Sequence, residues 1–112
     1  MKAPERGDLV WIDFDPQKGR EQAGRRPALV LTPVRYNGLV GLLVACPATK
    51  QAKGYPFEAE IPDGLPVQGV LLADHLRSLD WRGRHAEFIC KAPAHLVDEV
   101  LARVHALFDD ET

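Results

Sequence analysis

The fold is decided by the stretch Gly7-Asp8-Leu9-Val10-Trp11-Ile12-Asp13-Phe14-Asp15-Pro16-Gln17-Lys18-Gly19-Arg20-Glu21-Gln22-Ala23-Gly24-Arg25-Arg26-Pro27. Its first part is typical of a strand, because Leu9 and Trp11 recur with the near-alternation of a half-buried sheet. The apolar signal stops at Asp15-Pro16, and two glycines free the backbone of the segment that follows. A second apolar run, Ala28-Leu29-Val30-Leu31, comes directly after it. The pattern predicts two strands joined by a long polar loop.

That loop is basic. It carries one acid, Glu21, among the cations Lys18, Arg20, Arg25 and Arg26. A guanidinium offers a planar fork that matches a phosphate and keeps its charge at every physiological pH. A flexible basic loop with one carboxylate, held between two strands, therefore suits phosphate binding and proton transfer. A plain solvated hairpin loop is the alternative, and the commoner meaning of polar loop composition.

The rest of the chain alternates short apolar runs with turn residues. These runs predict further strands at 28–34, 39–46, 57–61, 69–74, 77–81 and 87–91, the last at an edge. Tyr36-Asn37-Gly38 is a turn signal. One helix is predicted, because Pro93 suits a first turn and the apolar residues from Leu96 to Phe108 fall on one face. We therefore expect a mainly β fold with a C-terminal α-helix, a small SH3-like β-barrel closed or covered by that helix, as a single domain over 1–112.

The overall composition limits which kinds of protein this chain can be. The formal net charge of −2 argues against a protein that coats nucleic acid non-specifically, but it leaves room for a local basic groove. Cys46 and Cys90 stand in apolar runs without metal-ligand spacing, which predicts free buried thiols. Residues 1–6 lack the apolar core of a signal peptide, and no apolar run is long enough to span a bilayer. We expect a cytoplasmic protein with no membrane partner.

No metal site and no cofactor are predicted. The histidines lack ligand spacing and are interpreted as ordinary surface or core residues: His75, His85, His95 and His105. No phosphate-loop or nucleophile-elbow motif is present.

A second polar loop follows the run that Pro47 ends. Thr49 opens this loop, where its hydroxyl could lie beside the same phosphate, and Lys50 and Lys53 add two cations. Basic residues interleaved with aromatic ones on two loops favour single-stranded nucleic acid over duplex, because unpaired bases stack on aromatic rings. The aromatic candidates near the loops are Phe14, Tyr55 and Trp81. Core packing is an equal alternative for Phe14 and Trp81.

Several segments resemble the MazF/PemK/Kid family of bacterial toxins: 7–11, 14–16, 19–28, 53–57 and 73–82. The segment that ends in Gly24-Arg25-Arg26-Pro27 is the most specific, and the likeness runs from about residue 7 to residue 108. It is stronger to MazF-type members than to Kid. The resemblance implies an SH3-like barrel with a C-terminal helix, a homodimer, and a metal-independent endoribonuclease that cuts single-stranded mRNA at specific sequences. The expected products carry a 2′,3′-cyclic phosphate and a 5′-hydroxyl.

The resemblance also assigns catalytic roles. The family's essential arginine falls on Arg26, its essential threonine on Thr49 and its loop glutamate on Glu21. Glu21 would take the proton of the RNA's own 2′-hydroxyl, Arg26 would neutralise the developing phosphorane, and Thr49 would bond a non-bridging oxygen. Kid-like members use the aspartate that matches Asp74, with an arginine two residues earlier. Here that position is Leu72, which favours Glu21, although Asp74 stays open as the base.

A wider set is expected to bind RNA: Phe14, Lys18, Arg20, Gln22, Arg25, Lys50, Lys53, Tyr55, Asp74, Arg77 and Trp81. The resemblance further implies a MazE-like antitoxin, and the basic loops predict that its acidic tail occupies the RNA groove. The alternative is a non-catalytic toxin of the same fold, such as the gyrase inhibitor CcdB, which acts through an aromatic C-terminal tail. The acidic end after Phe108 counts against that alternative.

Overall fold

The computed structural model of the protein describes residues 2–15 and 24–109. Within these ranges the chain forms seven strands, two α-helices and one 3₁₀ turn. The elements are β1 (Asp8–Asp13), β2 (Arg25–Val30), α1 (Val34–Val40), β3 (Leu42–Thr49), β4 (Glu58–Glu60), β5 (Val70–Leu72), the 3₁₀ turn (Ala73–His75), β6 (Arg77–Asp80), β7 (Glu87–Lys91) and α2 (Ala94–Leu107).

The strands form one strongly bent antiparallel sheet in the order β4-β5-β3-β2-β1-β7. Strand β3 is shared: its residues 42–45 pair with β6, and its last two residues, Ala48 and Thr49, pair with β5. The end strands β4 and β7 are not paired to each other within the described ranges, so the sheet is not closed into a barrel. The predicted class, mainly β with a C-terminal helix, is confirmed.

The bent sheet buries an apolar core on each of its faces. Successive side chains of a strand point to opposite faces, so Leu9 of β1 joins one core while Val10 and Ile12 join the other. Helix α2 covers the first core with Leu96 and Val100, both fully buried. The helical spacing in the sequence therefore predicted the packed face of α2 correctly.

Several local predictions are wrong. The strand predicted over 39–46 begins instead at Leu42 and continues through Pro47 to Thr49. Arg25 and Arg26, predicted to lie in the basic loop, lie on β2. Residues 36–38 do not form a turn but lie in α1, and the chain reverses instead at Gly41, where φ is 82°. The cause is Asn37, which is fully buried and hydrogen-bonds the carbonyls of Pro4 and Thr32 through its amide group. The strand predicted over 69–74 ends at Leu72, where the 3₁₀ turn begins.

Candidate active site

Arg26 and Thr49 are brought together by the pairing of β2 with β3. Ala28 lies opposite Pro47 in this ladder, and extending the register by two residues brings Arg26 level with Thr49. The Arg26 guanidinium donates from Nη1 to the carbonyl of Ala48, at 3.0 Å. Both residues are half-buried. A permanent cation and a hydroxyl are thus fixed side by side on strands rather than on loops.

The two residues share the wall of an open cleft of about 440 Å³, which we call the first cleft. It is lined by Trp11, Arg26, Pro27, Ala48, Thr49, Lys50, Gln51, Pro66, Val67 and Gln68. Trp11 is 41% exposed here, because its neighbours Val10 and Ile12 point into the core on the other face. The alternation in β1 predicts Trp11 as a half-buried strand residue and does not indicate that its ring forms part of the site.

A second cleft, of about 490 Å³, also has Thr49 in its lining. Its lining is Thr49, Gln51, Lys53, Tyr55, Glu58, Leu72, Asp74 and His75. The Tyr55 hydroxyl donates to Oδ1 of Asp74 at 2.6 Å. Desolvation, followed by the hydrogen bond to Asp74, raises the pKa of Tyr55 well above its usual value. The cleft thus combines a neutral phenol with a carboxylate. It also includes His75, which its lack of ligand spacing predicts to be an ordinary surface or core residue.

The segment between Thr49 and β4 forms a rim of the second cleft; we call residues 50–57 the Tyr55 loop. The Glu58 carboxylate accepts the backbone N–H of Lys53 and of Gly54, each at 2.8 Å. Gly54 has φ of 79°, which glycine adopts without strain. At the other end the Thr49 hydroxyl oxygen accepts the N–H of Gln51 at 3.2 Å. The loop is therefore held at several points along its backbone.

Residues 5–108 match the model of the PemK-like, MazF-like toxins of type II toxin–antitoxin systems. The chain belongs to this family. Over 83 residues it is 53% identical to the endoribonuclease toxin MazF of Escherichia coli (strain K12), an alignment that covers 74% of each chain. The resemblance stated from the sequence is confirmed.

Solved structures of MazF proteins share the fold. The crystal structure of MazF (Form-I) from Deinococcus radiodurans is 57% identical, with a TM-score of 0.91 over 94% of this chain and 96% of that one. MazF in the MazE–MazF complex (Form-II) from the same organism is 52% identical, with a TM-score of 0.83 over 94% of each chain.

Two of the predicted RNA contacts of this MazF-like toxin are wrong. Phe14 and Trp81 are fully buried in the same core and offer no face to a base. The Trp81 indole N–H donates to the backbone carbonyl of Asn37 at 2.9 Å, which satisfies its polar atom inside the protein. The aromatic side chains that do line the clefts are Trp11 and Tyr55.

The predicted cations separate into groups. Lys50 and Lys53 are exposed on the Tyr55 loop. Arg25 precedes Arg26 on β2 and so points to the other face, where it forms an ion pair with Glu87 at 3.1 Å. Arg77 donates from Nη1 to the carbonyl of Phe14 at 2.9 Å and stacks over its ring, so it supports the end of β1.

Four predicted residues lie outside the described ranges: Lys18, Arg20, Glu21 and Gln22. The roles assigned to them stay predictions. The described ends of their segment are joined, because the N–H of Phe14 donates to the carbonyl of Gly24 at 2.9 Å. The N–H of Gly24 in turn donates to Oδ1 of Asp15 at 2.8 Å. Asp15 and Gly24, the described residues on either side of this segment, are therefore held together.

Other expectations concern thiols, metals and membranes. Cys46 and Cys90 are free, as predicted, but only Cys46 is fully buried. Desolvation raises the pKa of Cys46 to about 12. Within residues 2–15 and 24–109, no three acidic, histidine or cysteine side chains gather as a metal site would require. In the same ranges, no helix has the length and apolar character needed to cross a membrane.

Proposed function

We propose that this MazF-type toxin endoribonuclease of a toxin–antitoxin system cuts single-stranded RNA without a metal. The observation that carries the proposal is the fixed pairing of Arg26 with Thr49 between two open clefts. An RNA strand that crosses Thr49 would place its scissile phosphate against both side chains and a nucleotide in each cleft. Trp11 in the first cleft offers a ring on which a base can stack.

The RNA itself supplies the nucleophile. Its 2′-oxygen attacks the adjacent phosphorus while the bond to the 5′-oxygen breaks, which leaves a 2′,3′-cyclic phosphate and a 5′-hydroxyl. Arg26 stabilises the negative charge of the phosphorane, and the Thr49 hydroxyl donates to a non-bridging oxygen. Arg26 does not serve as the acid, because a guanidinium keeps its proton. The leaving 5′-oxygen therefore takes its proton from another group or from water.

The base that receives the 2′-hydroxyl proton is Glu21 or Asp74. Asp74 lines the second cleft with Thr49, but one of its oxygens already accepts the Tyr55 hydroxyl. That oxygen is therefore occupied, and only the other carboxylate oxygen is open to the 2′-hydroxyl. We therefore favour Glu21. Comparison of Glu21→Gln with Asp74→Asn decides between the two, because only the variant that lacks the base should lose most of its cleavage rate.

The partners follow from the same surfaces. We propose that the chain acts in the cytoplasm as a homodimer of one toxin domain over 1–112, and the exposed apolar residues of α1 support a second copy: Val34, Tyr36, Leu39 and Val40. We also propose a MazE-like antitoxin whose acidic tail lies along Lys50 and Lys53 and competes with RNA. The MazE–MazF complexes of Deinococcus radiodurans support this partner.

The test is cleavage of a single-stranded RNA oligonucleotide in excess EDTA, with Arg26→Ala as the inactive control. Once the cut site has been mapped, a matched oligonucleotide carries one 2′-deoxy residue just before the scissile phosphate. We expect the RNA to be cut and the deoxy substrate to resist. Cutting of the deoxy substrate would show that water is the nucleophile, and failure to cut any RNA would favour a CcdB-like protein poison instead.

A further inference from the structure

A contact from the C-terminal helix reaches the rim of the second cleft. Arg103, on α2, donates from Nη1 to the carbonyl of Pro56 at 2.9 Å. Its Nη2 donates to Oε2 of Glu99, one helical turn earlier, also at 2.9 Å. Pro56 follows Tyr55 directly, and Tyr55 bonds Asp74 inside the cleft. A chain of contacts thus joins the outer helix to the cleft.

Stability alone does not account for this arginine. Its Nε is buried and has no hydrogen-bond partner among the described residues. A buried donor without a partner costs free energy that an apolar side chain of similar length would avoid. Arg103 nevertheless fits the Pro56 carbonyl because its fork delivers two donors in one plane, one to Glu99 and one to the loop.

We infer that Arg103 is a positioning residue for RNA binding, which acts through Pro56 on the Tyr55 loop. Arg103 lines neither cleft, so it has no direct path to a bound nucleotide there. Its hydrogen bond fixes the carbonyl next to Tyr55 and so fixes the side of the second cleft that Tyr55 and Lys53 form. The effect on RNA binding rests on the proposed function. The effect on the Tyr55 loop rests only on the contacts described above.

The decisive variant is Arg103→Met, which keeps an unbranched side chain as far as the position of Nε and removes the unpaired Nε together with both donors. We expect its melting temperature to stay close to that of the wild type. Loss of one net hydrogen bond to the loop should raise the KM for RNA by roughly three- to tenfold. The kcat should change by less than about twofold, because Arg26 and Thr49 sit on strands that Arg103 does not touch. Arg103→Lys should restore part of the KM, since one donor can still reach Pro56.

Two further measurements separate positioning from lost charge. Arg82→Met removes the same charge from an exposed position that lines neither cleft, and it should leave KM nearly unchanged. Amide hydrogen exchange of Lys53 and Gly54 should be roughly three- to tenfold faster in Arg103→Met and unchanged in Arg82→Met. This second readout needs no RNA, so it tests the loop contact even if the chain proves not to cleave RNA.

A double-mutant cycle tests the route of the effect. If Arg103 acts through Tyr55, then adding Tyr55→Phe to Arg103→Met should raise KM no further than the larger single effect. Full additivity of the two would overturn the route through Tyr55. Unchanged KM and unchanged amide exchange in Arg103→Met would overturn the inference itself, whereas absence of RNA cleavage by the wild-type protein would overturn only the proposed function.

Discussion

Gly69 offers a sharp test of how Thr49 is positioned. It precedes β5 with φ of 106°, and a Cβ at this residue would lie 2.1 Å from the backbone carbonyl oxygen of Thr49. Cβ contacts shorter than 3.0 Å essentially do not occur, so Gly69→Ala must move residue 69 and the end of β3 apart by about 1 Å. Gly64 is a matched control, because it has a similar φ of 94° and nothing within 4 Å of its Cβ position.

Both substitutions destabilise the fold through backbone strain, but only Gly69→Ala also creates a steric overlap. Alanine at a positive φ is strained by about 1–2 kcal/mol, which applies at both glycines. Gly69→Ala adds an overpacking cost of about 1–3 kcal/mol, toward the upper end because the atom it meets belongs to the backbone. For a domain of this size 1 kcal/mol lowers the melting temperature by about 4 °C. We expect a loss of about 4–8 °C for Gly64→Ala and of about 8–20 °C for Gly69→Ala.

The activity readout is the stronger one. A displacement of about 1 Å in a catalytic group can cost about 10²-fold in rate, so folded Gly69→Ala should cleave RNA about 10²-fold more slowly. Folded Gly64→Ala should cleave at nearly the wild-type rate. The assay is single-turnover cleavage well below both melting temperatures. If the two variants lost equal stability and equal activity, the close approach of Gly69 to Thr49 would not be what positions the hydroxyl.

Three further predictions follow from the described contacts. Arg26→Ala should reduce cleavage by about 10³-fold or more in a gel assay while circular dichroism stays native, and Arg26→Lys should recover little, because the fork is lost; a variant that cuts at the native rate would refute the assignment. Thr49→Ala should lose about 10²-fold in single-turnover rate, as for one transition-state donor. Hydrogen bonding to Lys91 lowers the pKa of Glu5 below 4.5, so its stabilising effect is present above that pH and is lost as the pH falls through the lowered value. The melting temperature should therefore fall as the pH drops below 4.5, and Glu5→Gln should reduce this dependence.

Much of this structure could be read from periodicity. Strand β1 and helix α2 were both predicted from the spacing of their apolar residues, because those side chains must reach a core. Both predictions are confirmed. The order of the residues placed Thr49 beside the phosphate of the basic loop, and the resemblance to a family singled out Arg26 and Thr49 as the catalytic pair. The structure adds the physical reason, which is that the β2–β3 register brings the two residues level.

The failures share a different cause. Whether an aromatic side chain is buried depends on what covers it from elsewhere in the chain, and the local sequence does not contain that information. Trp81 is covered by core residues from distant strands, and its indole N–H donates to the backbone carbonyl of Asn37, far away in sequence. The same Asn37 is why a turn-like sequence became helix α1. Trp11 shows the opposite case, an aromatic residue that is more exposed than its position in a strand suggests. Alternation indicates the face of the sheet on which a residue lies, but not how far the core extends beneath that face.

The division of the site between strands and loops bears on how it works. Arg26 and Thr49 stand on β2 and β3, where ladder hydrogen bonds fix their backbones. Lys53 and Tyr55 stand on a loop held by side chains from Glu58 and Arg103. Cleavage at a phosphate needs the same geometry of catalytic groups whatever the neighbouring bases are, and strands can hold that geometry fixed. Recognition of particular bases depends on loop conformation, which a few substitutions can change without disturbing the strands. A resemblance therefore transfers the catalytic pair to this chain more safely than it transfers a cleavage sequence, and Arg103 is a residue through which recognition could change while catalysis is preserved.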